Sequence, residues 1–474
     1  MRTSFFGFEI GRRALQAQQR ALDVVGHNIA NANTPGYSRQ MINLTATEPY
    51  EAISAVRSGQ PGQVGTGVTV ETIKRFRDAF LDRQYRSENN SAGKWETRQQ
   101  ALHELEVIFA EPTDAGLRSV INQFWQSLQD LSNDPESSSA RALVVQRGAA
   151  LTDDLTHLHR QISDLRTNID KNIANKVQEI NLTAQQIASL NYQIANIKST
   201  GDNPNDLMDK RGVLLDQLSK QIDISFTEFP DGSSNVMVRG VPLVEGAQAN
   251  SIGTSQAAGV TQLTWKQTGT PVEVTSGEIG AMIALRDQDL KGYLDKLDTL
   301  AKTFADAFNA VHASGYGLDN STGRAFFTDG TAGPLYNISA SNIQVNPAIL
   351  ADQATIAASS SLDGAGNVNR GDGRNALALA DLKKSPLYLG SASLSDYYES
   401  IISDLGVSAQ AANRMTDNQQ ILLKAIDNQR QIVSGVSLDE EMINMVKYQQ
   451  GYNAAAKLMK TMDEMMNTLI NGMI

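Results

Sequence analysis

The sequence predicts a mainly α protein with β insertions, made of terminal helices paired as a coiled coil, an elongated helical bundle and an outer β-rich domain. Three observations lead there. Apolar residues recur at three-or-four spacing through most of the 474 residues, the mark of amphipathic helices. The period changes between Ile222 and Thr275, where short apolar runs sit among turns such as Phe229-Pro-Asp-Gly232. An amphipathic segment stands at each end of the chain, too thin to fold alone.

From Ser4 to about Asn31, Phe8, Gly11, Leu15, Gln18, Leu22, Val25 and Ile29 form a heptad seam. Thr34-Pro35-Gly36 ends this helix, because proline disfavours helical geometry before it and glycine accepts the turn after it. Strand-like pieces at Met41–Ala46 and Val64–Ile73 read as a hairpin-like arm. Turn clusters at 111–116, 132–135 and 201–204 divide Phe76 to Gln221 into four helices. The third, Ser137 to Ser199, keeps an apolar stripe from Leu151 to Ile194 and needs partners along its whole length. After the β insertion one helix is expected from Gly277 to Ala313. Gly315 to Arg374, rich in Gly, Ser and Asn, reads as weak strands and loops without a large core. A short helix at Ala376–Lys383, a long one at Ser395–Ser434, a break at Gly435 and a last helix from Leu438 complete the chain.

These elements imply nested units. Residues 1–75 with 435–474 form a terminal coiled-coil assembly domain carrying the β arm. Residues 76–222, 276–314 and 376–434 form the long bundle, and 223–275 and 315–375 are the two insertions. Both termini are expected at one end of the molecule.

Composition excludes several functions. The charge of −11 with scattered basic residues argues against nucleic acid, and no apolar run is long enough for a membrane span. With no cysteine, disulfide frameworks and thiolate metal sites are ruled out. The first residues lack the apolar run and cleavage site of a secretory signal, so if the chain is exported the route is independent of a signal peptide. His103-Glu104 lacks the second histidine of a zinc protease motif, and His157 and His159 fall on different helix faces. Residues 363–373 hold oxygen ligands but match no complete calcium loop, and Arg370-Gly-Asp372 is too short to carry meaning. We expect no enzyme, cofactor or metal.

Two motifs remain. Asn28-Ile-Ala-Asn31-Ala-Asn33-Thr34-Pro35-Gly36-Tyr37-Ser38-Arg39-Gln40 follows the first helix, with Asn28, Asn31 and Asn33 expected to cap its end and hold the turn. The last helix begins at Ser437-Leu-Asp-Glu440, which has capping-box spacing, and carries a methionine-heavy seam of Leu438, Met442, Met445, Tyr452, Met459, Met466, Ile470 and Met473. The first motif resembles the rod, hook and hook-associated axial proteins of the bacterial flagellum. The extension Ser38-Arg39-Gln40 and the stretch from Ser434 to Met459 are similar to the hook-associated protein 1 family.

The resemblance implies a structural junction protein at the hook–filament junction, outside the cell. It implies lateral self-assembly through the termini and contact with the hook protein and with the next hook-associated junction protein, type 3. It also implies export through the flagellar secretion channel with a chaperone on the C-terminal region. The alternatives are a hook or rod axial subunit, against which the two extended matches argue, and an extracellular adhesin acting through the β insertions.

Overall fold

The computed structural model describes residues 6–48, 65–109, 116–257, 259–331, 337–387 and 392–472. Met473 of the C-terminal seam, the start of the first helix at Ser4 and most of the turn at 111–116 lie outside them.

The chain opens with helix α1 (Phe6–Ala30), followed by strands β1 (Gln40–Ala46) and β2 (Val68–Arg75). The strands pair antiparallel with Gln40 opposite Arg75 and a bulge between Asn43 and Leu44, forming the arm expected from their alternation. Four helices follow: α2 (Ala79–Phe109), α3 (Leu117–Asn133), α4 (Ser138–Ser199) and α5 (Asn205–Gln221). Ser137 starts α4 by accepting the Ala140 N–H at 3.3 Å. With no proline inside it, α4 continues for 62 residues, about 93 Å at 1.5 Å per residue. Its stripe from Leu151 to Ile187 is buried along the bundle, as the spacing requires.

The β insertion is an antiparallel sheet ordered β3 (Ser225–Glu228), β4 (Ser234–Val238), β5 (Val241–Glu245), β6 (Gln248–Ala249), beside a hairpin of β7 (Ile252–Ala257) and β8 (Val260–Trp265). Val236, Val238, Leu243 and Val244 join the apolar core of the bundle. The helix expected over Gly277–Ala313 is interrupted: α6 (Gly277–Ala284) and α7 (Leu290–Ser314) are separated by a π-helical turn at Leu285–Asp289. That turn carries the buried Arg286, whose guanidinium bonds Asp170 of α4 at 2.6 Å and the Thr261 carbonyl of β8 at 2.7 Å. The π turn thus clamps the hairpin onto α4.

Residues 315–375 differ from the expectation of loops without a core. Strands β9 (Phe327–Thr328) and β10 (Gln344–Val345) and helix α8 (Pro347–Ala351) are short, yet Phe326 and Phe327 are fully buried. Their rings, 4.8 Å apart, pack with Phe124, Phe304 and Phe308 into an aromatic cluster between α3 and α7. Composition hid this because a few large side chains, not the average, supply the buried area. His312 of α7 holds the same region, with Nδ1 bonded to the Arg324 carbonyl at 2.7 Å and Nε2 accepting the Ala357 N–H at 3.0 Å. Asp372 accepts from Ser360, Ser361 and Arg374, so the acid of the Arg-Gly-Asp triplet is occupied in holding its own loop.

Helix α9 (Arg374–Asp381) leads to α10 (Leu394–Ser434), started by a capping box of Ser393 and Asp396. Helix α10 runs antiparallel to α2: Tyr398 lies beside Phe109, while Arg430 reaches Asp82 at 3.0 Å. After Gly435 the last helix, α11 (Leu438–Asn471), turns back along α1.

Candidate assembly interface and its joint

Helices α1 and α11 pair antiparallel. A Cβ on Gly7 would meet the Met462 side chain, one on Gly11 would meet Met459, and one on Gly451 would meet Gln18. Methionine side chains therefore fill holes left by glycines, which lets the two backbones approach closely. The beginning of α1 lies beside the far part of α11, so the two described ends sit together.

The expected N-terminal seam is displaced in this pair. Gly11, Ala17, Ala21, Val25 and Asn28 are the buried residues of α1, whereas Phe8, Leu15, Leu22 and Ile29 are half-buried. Of the expected seam only Gly11 and Val25 are fully enclosed. On α11, Met445, Met459 and Met466 are half-buried, while Leu438, Met442, Tyr452 and Ile470 are 38–56% exposed. Ile443, Val446, Met465 and Leu469 add to this uncovered apolar surface at 52–69% exposure.

The turn from Asn28 to Gln40 is the joint between this pair and the bundle. Asn28 is buried, and its amide donates to the Gln40 carbonyl at 2.8 Å and to Glu441 at 3.0 Å. Its oxygen accepts the Gln40 N–H at 2.9 Å and the Tyr37 hydroxyl at 2.7 Å. Burial, with Asp206, Asp209 and Glu441 nearby, pushes the Tyr37 phenol up, so it remains a donor. Gly36 has φ of +78°, and a Cβ there would collide with Val213 of α5. Glycine is needed twice over, for the left-handed backbone and for the approach.

The next three residues reach three different elements. Ser38 donates its N–H and its hydroxyl to Asp209 of α5, both at 2.8 Å. Arg39 donates its N–H to the Ser434 carbonyl at the end of α10 and pairs with Glu440 and Glu441 of α11. Gln40 donates from its side chain to Asp206 at 2.7 Å and accepts from Asn205 at 3.1 Å.

Asn31 and Thr34 make local bonds, to the His27 carbonyl at 3.0 Å and to Asn31 Oδ1 at 3.2 Å, while Asn33 and Pro35 are exposed. Asn28 therefore does more than cap: it bonds two chain segments instead of its own helix end. Ser437 accepts the Glu440 N–H at 3.5 Å, but the Glu440 carboxylate goes to Arg39 and does not close a capping box. The sequence reading missed Asp206, Asp209 and the buried Glu441. A carboxylate at Glu441, immediately before the seam methionine Met442, was the available signal. His103 is 75% exposed and His159 lies 3.8 Å from Asp298, with no grouping of either into a site.

A terminal helix pair, a hairpin arm and a locked turn hung on a long bundle define an axial protein of the bacterial flagellum. Family models match three parts of the chain: the flagellar hook-associated protein FlgK helical domain over residues 102–327, the flagellar basal body rod FlgEFG protein C-terminal region over 432–472, and the flagella basal body rod protein over 8–37. The chain is 36% identical to flagellar hook-associated protein 1 of Bacillus subtilis (strain 168), covering 100% of this chain and 99% of that one. It is 27% identical to flagellar hook-associated protein 1 of Salmonella typhimurium, over 96% of this chain and 98% of that one. The solved structure of the flagellar hook junction protein FlgK from Burkholderia pseudomallei has the same fold, with a TM-score of 0.66 and 17% identity over 74% of this chain and 100% of that one. The chain belongs to the flagellar hook-associated protein 1 (FlgK) family. It is a structural, non-catalytic, extracellular component of the flagellum. No described helix is long and apolar enough to cross a membrane.

Proposed function

We propose that the chain is a junction subunit joining the flagellar hook to the filament through the next hook-associated protein, type 3, by coiled-coil polymerisation of its termini. The observation that carries this reading is the incomplete α1–α11 pair. Helix α11 leaves Leu438, Met442, Val446, Met465 and Leu469 more than half exposed on surfaces that α1 does not cover. Such surface is stabilised when neighbouring copies cover it, each contact repeating around a common axis. Phe8, Leu15, Leu22 and Ile29, spaced by seven, supply the matching apolar stripe on α1. The named seams are therefore assembly surfaces, and the Asn28–Gln40 turn sets the angle at which they leave the bundle.

The partners in this reading are other copies of the chain, the hook protein and the type 3 junction protein. An export chaperone covers the C-terminal seam before assembly, and export uses the flagellar channel without a cleaved signal. Residues 1–75 with 435–474 act as the assembly unit, and the β insertion at 223–275 faces outward. Hydrogen exchange on the monomer, alone and mixed with isolated hooks, tests the proposal. Exchange at 8–30 and 438–470 that slows only on hooks is the expected result. Unchanged exchange on hooks, with strong protection already in the monomer, would overturn it.

A further inference from the structure

The strongest unassigned feature lies beside the joint, where β2, α2, α5 and β3 enclose a pocket of about 490 Å3. Five arginines line it: Arg75 and Arg77 before α2, Arg83 and Arg86 on α2, and Arg211 on α5. Only two acids, Asp82 and Glu228, share the lining. Asp209 and Asp216 pair with Arg75 and Arg86 at 2.8 and 2.7 Å, and Arg430 shares Asp82 and Asp216. Six guanidiniums thus meet four carboxylates, leaving two positive charges in excess.

The donors are also unequally used. Arg86 has a side chain only 10% exposed, yet it bonds only through Nε, to Asp216. Its two terminal amino groups find no acceptor among the described residues. Neither is sealed from solvent, so both amino groups open into the pocket with their donors free. The Phe226 ring lies under the guanidiniums of Arg86 at 5.2 Å and Arg211 at 5.7 Å, an aromatic contact shared by both cations. Arg83 is exposed, with no carboxylate partner among the described residues.

We propose that this pocket is an oxyanion site, receiving a carboxylate or phosphate group on the free amino groups of Arg86 with Arg83 closing over it. The two free amino groups of Arg86 match the oxygens of such a group, while Arg211, already bonded to Asn191, the Gly232 carbonyl and Glu228, adds its charge to the wall of the pocket. The site is independent of the α1–α11 seams and neither requires nor supports the junction reading.

Calorimetric titration of the full chain with inorganic phosphate at low ionic strength tests it. Saturable binding with a dissociation constant of about 1 mM is expected. Arg83→Glu, at an exposed position that leaves the fold intact, weakens it at least about tenfold. Arg86→Met abolishes it. Arg370→Glu, the same charge change on a remote exposed loop, leaves it within about twofold. No saturable heat, or equal weakening by Arg83→Glu and Arg370→Glu, would overturn the proposal. Sedimentation with and without phosphate then separates two sources of the oxyanion. Phosphate that lowers self-association places a carboxylate of a second copy in the pocket, and unchanged association assigns it to a free oxyanion.

Discussion

Replacing Asn28 with alanine tests whether the turn is a joint or merely a helix end. The substitution removes four hydrogen bonds. Two of the partners keep alternatives: Tyr37 retains His27 at 3.2 Å, and Glu441 retains Arg39 at 2.8 Å. The Gln40 N–H and carbonyl lose the Asn28 bonds inside a buried site, and each stranded group costs about 1–3 kcal/mol. The sum is about 2–6 kcal/mol, which at 1.4 kcal/mol per decade is roughly a 30- to 20,000-fold rise in local opening. Hydrogen exchange reads this residue by residue, and it is preferable to a melting curve because the long bundle dominates global unfolding. Gln40 and Arg39 should exchange faster by that factor while the α4 amides near Ile173 stay unchanged. Asn28→Asp should be at least as damaging, because it replaces the donor facing Glu441 at 3.0 Å with a second carboxylate. Unaltered protection at Gln40 in Asn28→Ala would refute the reasoning, since the side chain would then be a local cap with no role across the chain.

Two further outcomes follow from packing and charge. Burial holds the His312 imidazole down from 6.5 to about 4, so the folded chain binds fewer protons than the unfolded chain between those values. Its contribution is fully present above pH 6.5 and is lost as pH falls toward 4; of about 3 kcal/mol in total, about 2 kcal/mol should disappear between pH 7.5 and 5. Urea titrations of the native chain and of His312→Asn across that range measure it, and an equal slope in both would count against the buried neutral imidazole. Gly93→Ala should lower the stability read by urea titration by about 1–3 kcal/mol, because its Cβ would collide with the Lys220 carbonyl where α2 meets α5. Gly26→Ala, with nothing within 4 Å of its Cβ, should be neutral or stabilising because alanine favours the helix, and a loss as large as that of Gly93→Ala would show that the α2–α5 approach is not the cause of the effect.

The helices were legible because their stripes are buried within the chain itself. The positions from Leu151 to Ile187 on α4 repeat at helical spacing and meet partners along the bundle. The π turn at Leu285–Asp289 was not legible, since it answers to Arg286 reaching Asp170, a residue 116 positions away. The core of residues 315–375 was hidden for a related reason: Phe326 and Phe327 become a core only once α3 and α7 bring their own aromatics alongside. Asp209 gave no pattern at all, because its partners Ser38 and Arg75 arrive from a different part of the chain. Local periodicity reports an element's faces, whereas the joint is built from single polar residues at large separations.

The displaced seam on α1 argues further. Apolar spacing marks every surface a helix will bury, in its own chain or against another, without distinguishing them. Phe8, Leu15, Leu22 and Ile29 repeat by seven, yet the buried residues of α1 are Gly11, Ala17, Ala21, Val25 and Asn28, and Gly7 and Gly11 are the positions that meet methionines of α11. Small residues suffice there because the methionines of α11 fill the space. The larger side chains are left half-covered, and on α11 Met442 and Val446 are left more than half exposed. A helix pair of a self-sufficient monomer would put its largest apolar residues between the helices, where they bury the most area. This pair places glycines of α1 against Met459 and Met462 of α11 and leaves Met442, Ile443, Val446, Met465 and Leu469 uncovered, which fits the proposed wall segment whose remaining faces are closed by other copies.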